Sequence, residues 1–79
     1  MNIRKSIGKN IKKARLDNEI SQEQLAIKLN TSHSHLNAIE NGNYSLLNLD
    51  LIFQISKILK TPFHKLFEID WEFKIITNK

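Results

Sequence analysis

The chain has 79 residues, which is enough for one domain with a modest hydrophobic core. It contains no cysteine, which excludes disulfides and thiolate metal sites, and no apolar run approaches the roughly 18–20 residues of a membrane span. The formal net charge of +4 suits a polyanionic partner without requiring one, and we expect a cytoplasmic protein with no membrane association and no cofactor.

The first half of the sequence predicts two helices with clear start signals. A helix over about residues 2–18 has one apolar stripe at helical spacing, formed by Ile3, Ile7, Ile11 and Ala14. Ser21 followed by Gln24 is the capping-box pattern, which begins a second helix over about residues 22–29. Asn30 fits the turn after it, because asparagine adopts positive φ more readily than most non-glycine residues.

Three further helices are predicted after this turn. A third helix over about residues 33–41 follows the Thr31-Ser32 cap and ends at Asn41-Gly42, since glycine tolerates the left-handed conformation that ends helices. Asn48 is expected to cap a fourth helix, whose wide buried face contains Leu51, Ile52, Ile55, Ile58 and Leu59. Thr61-Pro62 predicts the start of a short fifth helix, with Thr61 as the N-cap and Pro62 at the first helical position. This helix is expected to continue to about Phe67.

The last residues follow a different pattern. From Ile69 to Ile75, apolar and charged residues alternate with period two, which predicts a β-strand. The helices before it offer no strand to pair with, so we expect antiparallel pairing with the same strand of a second copy. The dimer interface would then contain Ile69, Trp71, Phe73 and Ile75. The alternative is a C-terminal segment that packs Trp71 onto its own core, for example as a helical extension. The predicted organisation is a domain over residues 1–67 and a dimerising tail over residues 68–79.

Residues from most of these elements occur together in a characteristic spacing: Ile7-Gly8, Ile11, Arg15, Ser21-Gln22, Leu25-Ala26, Ser32, Ile39-Glu40, Gly42, Leu59 and Leu66-Phe67. With this spacing, residues 7–67 resemble the Cro/CI-type (XRE family) helix-turn-helix transcriptional regulators of phages, plasmids and bacterial chromosomes. The resemblance implies an all-α, five-helix, lambda-repressor-like domain that binds operator DNA, usually as a dimer. Asn30 departs from the family's common turn glycine, and Ala14 stands where a larger aliphatic residue is usual.

The resemblance also implies that the third helix lies in the major groove of DNA. Helical spacing turns Leu36 and Ile39 inward, and the candidate base-reading residues on the opposite side are His33, Ser34, Asn37 and Ala38. Asn37 can bond adenine bidentately and Ala38 can touch a thymine methyl group; the alternative is a merely solvated polar face. Because this face lacks arginine and lysine, we expect A·T-leaning positions and DNA shape to carry much of the specificity.

Two other sets of residues complete the expected site. Phosphate contacts are expected at helix starts and in the loop after the third helix, from Ser21, Gln22, Ser32, Asn41, Asn43, Ser45 and Asn48. The family pattern also places Arg15 and Glu40 in contact between the first and third helices. We expect them to form a largely buried ion pair with a structural role.

Catalysis and metal binding are not expected. His33 and His35 are two residues apart on a helix, so they point to different faces and cannot chelate one metal ion. The sequence predicts a homodimeric, sequence-specific transcriptional regulator, more plausibly a repressor, whose partners are double-stranded DNA and a second copy. The competing interpretation is a protein-interaction module, such as an antitoxin or accessory regulator, whose C-terminal strand binds a partner protein.

Overall fold

The computed structural model describes residues 3–43 and 48–68. Within these ranges the chain forms five helices, which are α1 (Ile3–Asp17), α2 (Gln22–Lys28), α3 (His33–Glu40), α4 (Leu49–Ile58) and α5 (Phe63–Leu66). The prediction of an all-α domain is therefore confirmed for this part of the chain. The predicted strand over residues 69–75 and its pairing across a dimer lie outside the described residues.

The hydrophobic core lies where the apolar faces of all five helices meet. Ile11 of α1, Leu36 of α3 and Ile55 of α4 are completely buried at its centre. The helices α2 and α3 are too short to be stable alone, and they pack against each other while α3 also packs against α1. The base of the domain is closed by α5, which packs on α1 and α4.

The predicted helix starts are confirmed by hydrogen bonds. The Ser21 hydroxyl accepts from the backbone N–H of Gln24, and the Gln24 side chain accepts from the N–H of Ser21, which completes the capping box. Ser32 caps α3 and Asn48 caps α4 in the same way, each accepting a backbone N–H three residues later. Each cap satisfies an amide group that the helix itself leaves unpaired.

Residues with left-handed backbone conformation follow four of the helices. Asn30 has a φ of 58° after α2, as predicted, and Gly42 has a φ of 90° after α3. Two positions that the sequence did not suggest share this conformation, namely Glu19 after α1 at 56° and Lys60 after α4 at 51°. A side chain disfavours this region, but local hydrogen bonds close both turns: the N–H of Ile20 donates to the carbonyl oxygen of Arg15 at 3.1 Å, and that of Thr61 to the carbonyl oxygen of Ser56 at 3.0 Å.

The predicted start of α5 is wrong by one residue. Pro62, not Thr61, is the N-cap, and its ψ of 139° is outside the helical range. The Thr61 hydroxyl is not available as a cap because it donates to the carbonyl oxygen of Leu59. As a result α5 begins at Phe63 without a side-chain cap.

Gly8 allows α1 and α3 to approach closely. A Cβ atom at this position would lie 2.6 Å from the carbonyl oxygens of both Ile39 and Glu40. Because any side chain would collide with backbone there, this glycine determines how near the C-terminal end of α3 sits to α1.

Candidate nucleic-acid interface

The outward face of α3 carries the residues expected to read bases. His33, Ser34 and Asn37 are exposed, and Ala38 is half-buried beside them. On the opposite side, Leu36 and Ile39 are buried in the core and fix the rotation of the helix. The structure therefore brings these four polar or small side chains to one accessible surface.

A buried ion pair holds α3 against α1. Nε of Arg15 donates to Oε2 of Glu40 at 2.8 Å, and Nη2 donates to Oε1 at 3.3 Å, so the contact is bidentate. The side chains of Arg15 and Glu40 are only 8% and 2% exposed. The remaining guanidinium nitrogen, Nη1, donates to the carbonyl oxygen of Ile20 at 2.8 Å, which ties the pair to the α1–α2 connection just before the N-cap of α2.

Gln22 connects this ion pair to the outward face, a role that the sequence did not suggest. Its Nε2 donates to Oε1 of Glu40 at 3.0 Å and to Oδ1 of Asn37 at 3.2 Å. Its Oε1 lies 2.6 Å from Nε2 of His33. We call these five side chains, Arg15, Gln22, His33, Asn37 and Glu40, the polar network. It runs from the buried interface of α1 and α3 to the exposed surface of α3.

A family model described as Helix-turn-helix matches residues 11–66, which span α2, α3 and the ion pair. The chain belongs to the Cro/CI-type helix-turn-helix family of DNA-binding regulators. No curated protein and no solved structure matches it.

In this helix-turn-helix protein, five of the seven candidate phosphate-binding residues fall into two groups. Ser21, Ser32 and Asn48 are the N-caps of α2, α3 and α4, so their side-chain oxygens already accept a backbone N–H. Asn41 and Asn43 are exposed immediately after α3. The seventh candidate, Ser45, lies outside the described residues.

Gln22 differs from the other candidate phosphate-binding residues because its side chain belongs to the polar network. Both hydrogens and the oxygen of its amide are used inside the polar network. A phosphate contact from this side chain would therefore require one of those hydrogen bonds to break.

The second histidine of α3, His35, has surroundings unlike those of His33. The Nδ1 atom of His35 is hydrogen-bonded with the hydroxyl of Thr31, and its Nε2 is buried without a partner in the described part of the chain. Among residues 3–43 and 48–68 there is no group of three or more side chains suited to hold a metal ion. No helix in those same ranges combines the length and the apolar character needed to cross a membrane.

Proposed function

We propose that this protein is a transcriptional repressor that binds a pseudo-palindromic operator as a homodimer, with α3 of each copy in a major groove. The observation that carries the proposal is the exposed polar face of α3, which the buried Arg15–Glu40 pair holds in one orientation. Repression is the simpler mode of regulation because it requires only that the operator be occupied. Activation also requires a specific contact with the transcription machinery.

Base reading is assigned to His33, Ser34, Asn37 and Ala38. Nδ2 of Asn37 can donate to N7 of adenine, and Oδ1, which accepts one hydrogen bond from Gln22, has a second lone pair for the adenine amino group. The methyl group of Ala38 can contact the methyl group of thymine. The half-buried position of Ala38 suits a close apolar contact at the floor of this surface. None of the four residues can form the bidentate arginine contact to guanine, so we expect an A·T-leaning operator.

Phosphate contacts are assigned to the residues around the surface of α3. Backbone N–H groups at the starts of helices attract phosphate, and the assigned positions are Ser21, Gln22, Ser32, Asn41, Asn43, Ser45 and Asn48. Such contacts set the position of the protein on DNA rather than its sequence preference.

An exposed aromatic patch on α4 and α5 supports the homodimer. The rings of Phe53 and Phe63 lie 6.0 Å apart, and those of Phe63 and Phe67 lie 4.8 Å apart. Phe53 is 53% exposed and Phe63 is 37% exposed, although aromatic side chains of this size are usually buried. Contiguous apolar surface of this kind marks interaction sites.

We propose that a second copy covers this patch, helped by the segment over residues 68–79. The tail starts directly after Phe67, and its alternating sequence contains Ile69, Trp71, Phe73 and Ile75 as apolar residues. Two domains joined in this way would place their α3 helices in successive major grooves, roughly 34 Å apart.

The DNA-binding proposal is tested by selecting bound duplexes from a random pool with the full chain. We expect two inverted half-sites with A·T-leaning positions and a centre-to-centre spacing near one helical turn, about 10 base pairs. A guanine-dominated core in each half-site would contradict the assigned base readers. If no sequence is enriched and binding is absent even at low salt, the protein-interaction module becomes the better interpretation.

The role of the tail is tested by sedimentation of a chain that ends at Phe67. We expect it to be folded, because it keeps every buried core residue that lies in the described part of the chain, the last of which is Leu66. We also expect it to be monomeric at concentrations where the full chain is dimeric. A chain that lacks only residues 77–79 is the matched control and should stay dimeric. If the chain ending at Phe67 remains fully dimeric at low concentration, the tail is not the main interface.

A further inference from the structure

The orientation of the Gln22 side-chain amide is fixed by the buried ion pair. Oε1 of Glu40 already accepts from Nη2 of Arg15, and an ionised carboxylate can only accept hydrogen bonds. The Gln22 atom that lies 3.0 Å from this oxygen must therefore be the amide nitrogen. The reverse orientation would place the amide oxygen of Gln22 against the carboxylate oxygen of Glu40 in a site with little access to water. Two acceptors cannot hydrogen-bond to each other, and leaving them unpaired raises the free energy of the folded state.

This orientation determines which ring nitrogen of His33 carries hydrogen. Oε1 of Gln22 is an acceptor, so Nε2 of His33, at 2.6 Å, must be the donor. In a neutral imidazole only one nitrogen is protonated, so Nδ1 of His33 is then an acceptor. His33 is exposed, and this acceptor belongs to the surface assigned to DNA.

The same amide determines the orientation of Asn37. The second hydrogen of Gln22 Nε2 is donated to Oδ1 of Asn37 at 3.2 Å. Nδ2 of Asn37, with its two hydrogens, has no protein partner in the part of the chain that the structure describes. Asn37 is exposed, so these hydrogens are available as donors at the same surface.

We propose that the Arg15–Glu40 pair, acting through Gln22, decides which hydrogen-bonding groups α3 presents to DNA: an acceptor at Nδ1 of His33 and donors at Nδ2 of Asn37. Gln22 and Glu40 are thus positioning residues for base selection, and this role rests on the proposed function of α3. An acceptor at His33 selects the exocyclic amino group of adenine or cytosine. Donors at Asn37 select acceptors in the major groove, such as purine N7 or thymine O4.

The tautomer of His33 can be measured on the free protein by nitrogen-15 NMR at a pH of about 8.5, where an ordinary imidazole is neutral. We expect His33 to be protonated only at Nε2 in the natural chain. In a Gln22→Met variant, which cannot accept from the ring, both tautomers should be present. The exposed His64 on α5 is an internal control that should show both tautomers in each protein. If His33 in the natural chain has the same tautomer mixture as His64, the proposal is wrong.

The effect on base selection is measured by repeating the random-pool selection with two glutamine variants. A His33→Ala variant first identifies the base pair that His33 reads. At that pair, Gln22→Met should reduce the preference for an amino-bearing base by about 2- to 10-fold, the value of one hydrogen bond. The control, Gln54→Met at an exposed position of α4, should keep the natural preference.

The two readouts separate failure of this proposal from failure of the proposed function. Loss of a phosphate contact by Gln22→Met would weaken binding to all sequences equally, whereas loss of positioning changes the preference only at the base pairs that His33 and Asn37 read. An unchanged preference in Gln22→Met would overturn the positioning role. If the natural chain selects no sequence at all, the proposed DNA-binding function fails, and the NMR result still decides whether the network orients His33.

Discussion

At the scale of single residues, Glu40 connects the packing of the domain with the orientation of the α3 surface assigned to DNA. Its carboxylate accepts from Arg15 on the side of α1 and from Gln22 on the side of α2. The side chain is almost fully buried, so its charge is stabilised by these partners rather than by water. The position therefore serves both the stability of the domain and the orientation of α3.

Glu40→Gln should reduce the free energy of unfolding by about 3–5 kcal/mol, because it leaves the buried guanidinium of Arg15 without its charged partner. The measurement is urea unfolding followed by circular dichroism. An unfolding free energy equal to that of the natural chain would show that the pair does not stabilise the fold.

The exposed ion pair on α1 provides the matched control. Nζ of Lys13 lies 3.4 Å from Oδ2 of Asp17, and these side chains are 80% and 66% exposed. Water and salt screen such a pair, so Asp17→Asn should change the unfolding free energy by less than about 1 kcal/mol. A comparable loss in both variants would mean that burial is not the cause of the effect at Glu40.

At the scale of elements, the close approach of α1 to α3 predicts that Gly8→Ala changes the free energy of unfolding in the direction opposite to that expected from helix propensity. Alanine is favoured over glycine inside a helix by about 1 kcal/mol. Gly8→Ala should nevertheless lower the free energy of unfolding by about 1–3 kcal/mol, because its Cβ would overlap the carbonyl oxygens of Ile39 and Glu40. Lys9→Ala, at the exposed neighbouring position, should change it by less than about 0.5 kcal/mol. A more stable Gly8→Ala protein would show that α3 can move away from α1 at little cost.

The left-handed ends of α1 and α4 predict stabilising substitutions. Glu19 and Lys60 have side chains in a conformation that glycine adopts without strain. We expect Glu19→Gly and Lys60→Gly each to raise the free energy of unfolding by up to about 1 kcal/mol, measured by thermal unfolding. Gln54→Gly, inside α4, is the control and should lower it by about 1 kcal/mol. Loss of stability in all three variants would mean that backbone freedom outweighs the relief of strain.

Local patterns predicted the helices and their caps because the interactions involved are only a few residues apart. The capping box at Ser21 and the positive φ at Asn30 are of this kind. The Arg15–Glu40 contact, which spans 25 positions, was expected only through the family resemblance. The hydrogen bonds of Gln22 were not predicted, because they depend on the three-dimensional placement of α2 against α3. Thr61 was misassigned because its hydroxyl has two possible uses, and tertiary structure decides between them.

At the scale of the whole molecule, the aromatic patch on α4 and α5 predicts where two copies meet. Phe53→Asp places a charge in this proposed interface and should raise the dimer dissociation constant at least about 10-fold, as expected for a central aromatic contact. Sedimentation equilibrium of the full chain measures the effect. Ile27→Asp is the control, because Ile27 is an exposed apolar residue on α2, 72% accessible, away from the patch. Equal dissociation constants for Phe53→Asp and the natural chain would place the dimer interface elsewhere.

Base reading by α3 is tested most directly by the affinity of Asn37→Ala for the selected operator and for an unrelated duplex at the same salt concentration. Asn37 is exposed, so the variant should fold like the natural chain, and Gln54→Ala on α4 is the matched control. We expect Asn37→Ala to lose about 1–3 kcal/mol of binding free energy on the operator alone, and the control to lose none. An Asn37→Ala protein that binds the operator as tightly as the natural chain, or that weakens equally on both duplexes, would contradict sequence recognition by this face of α3.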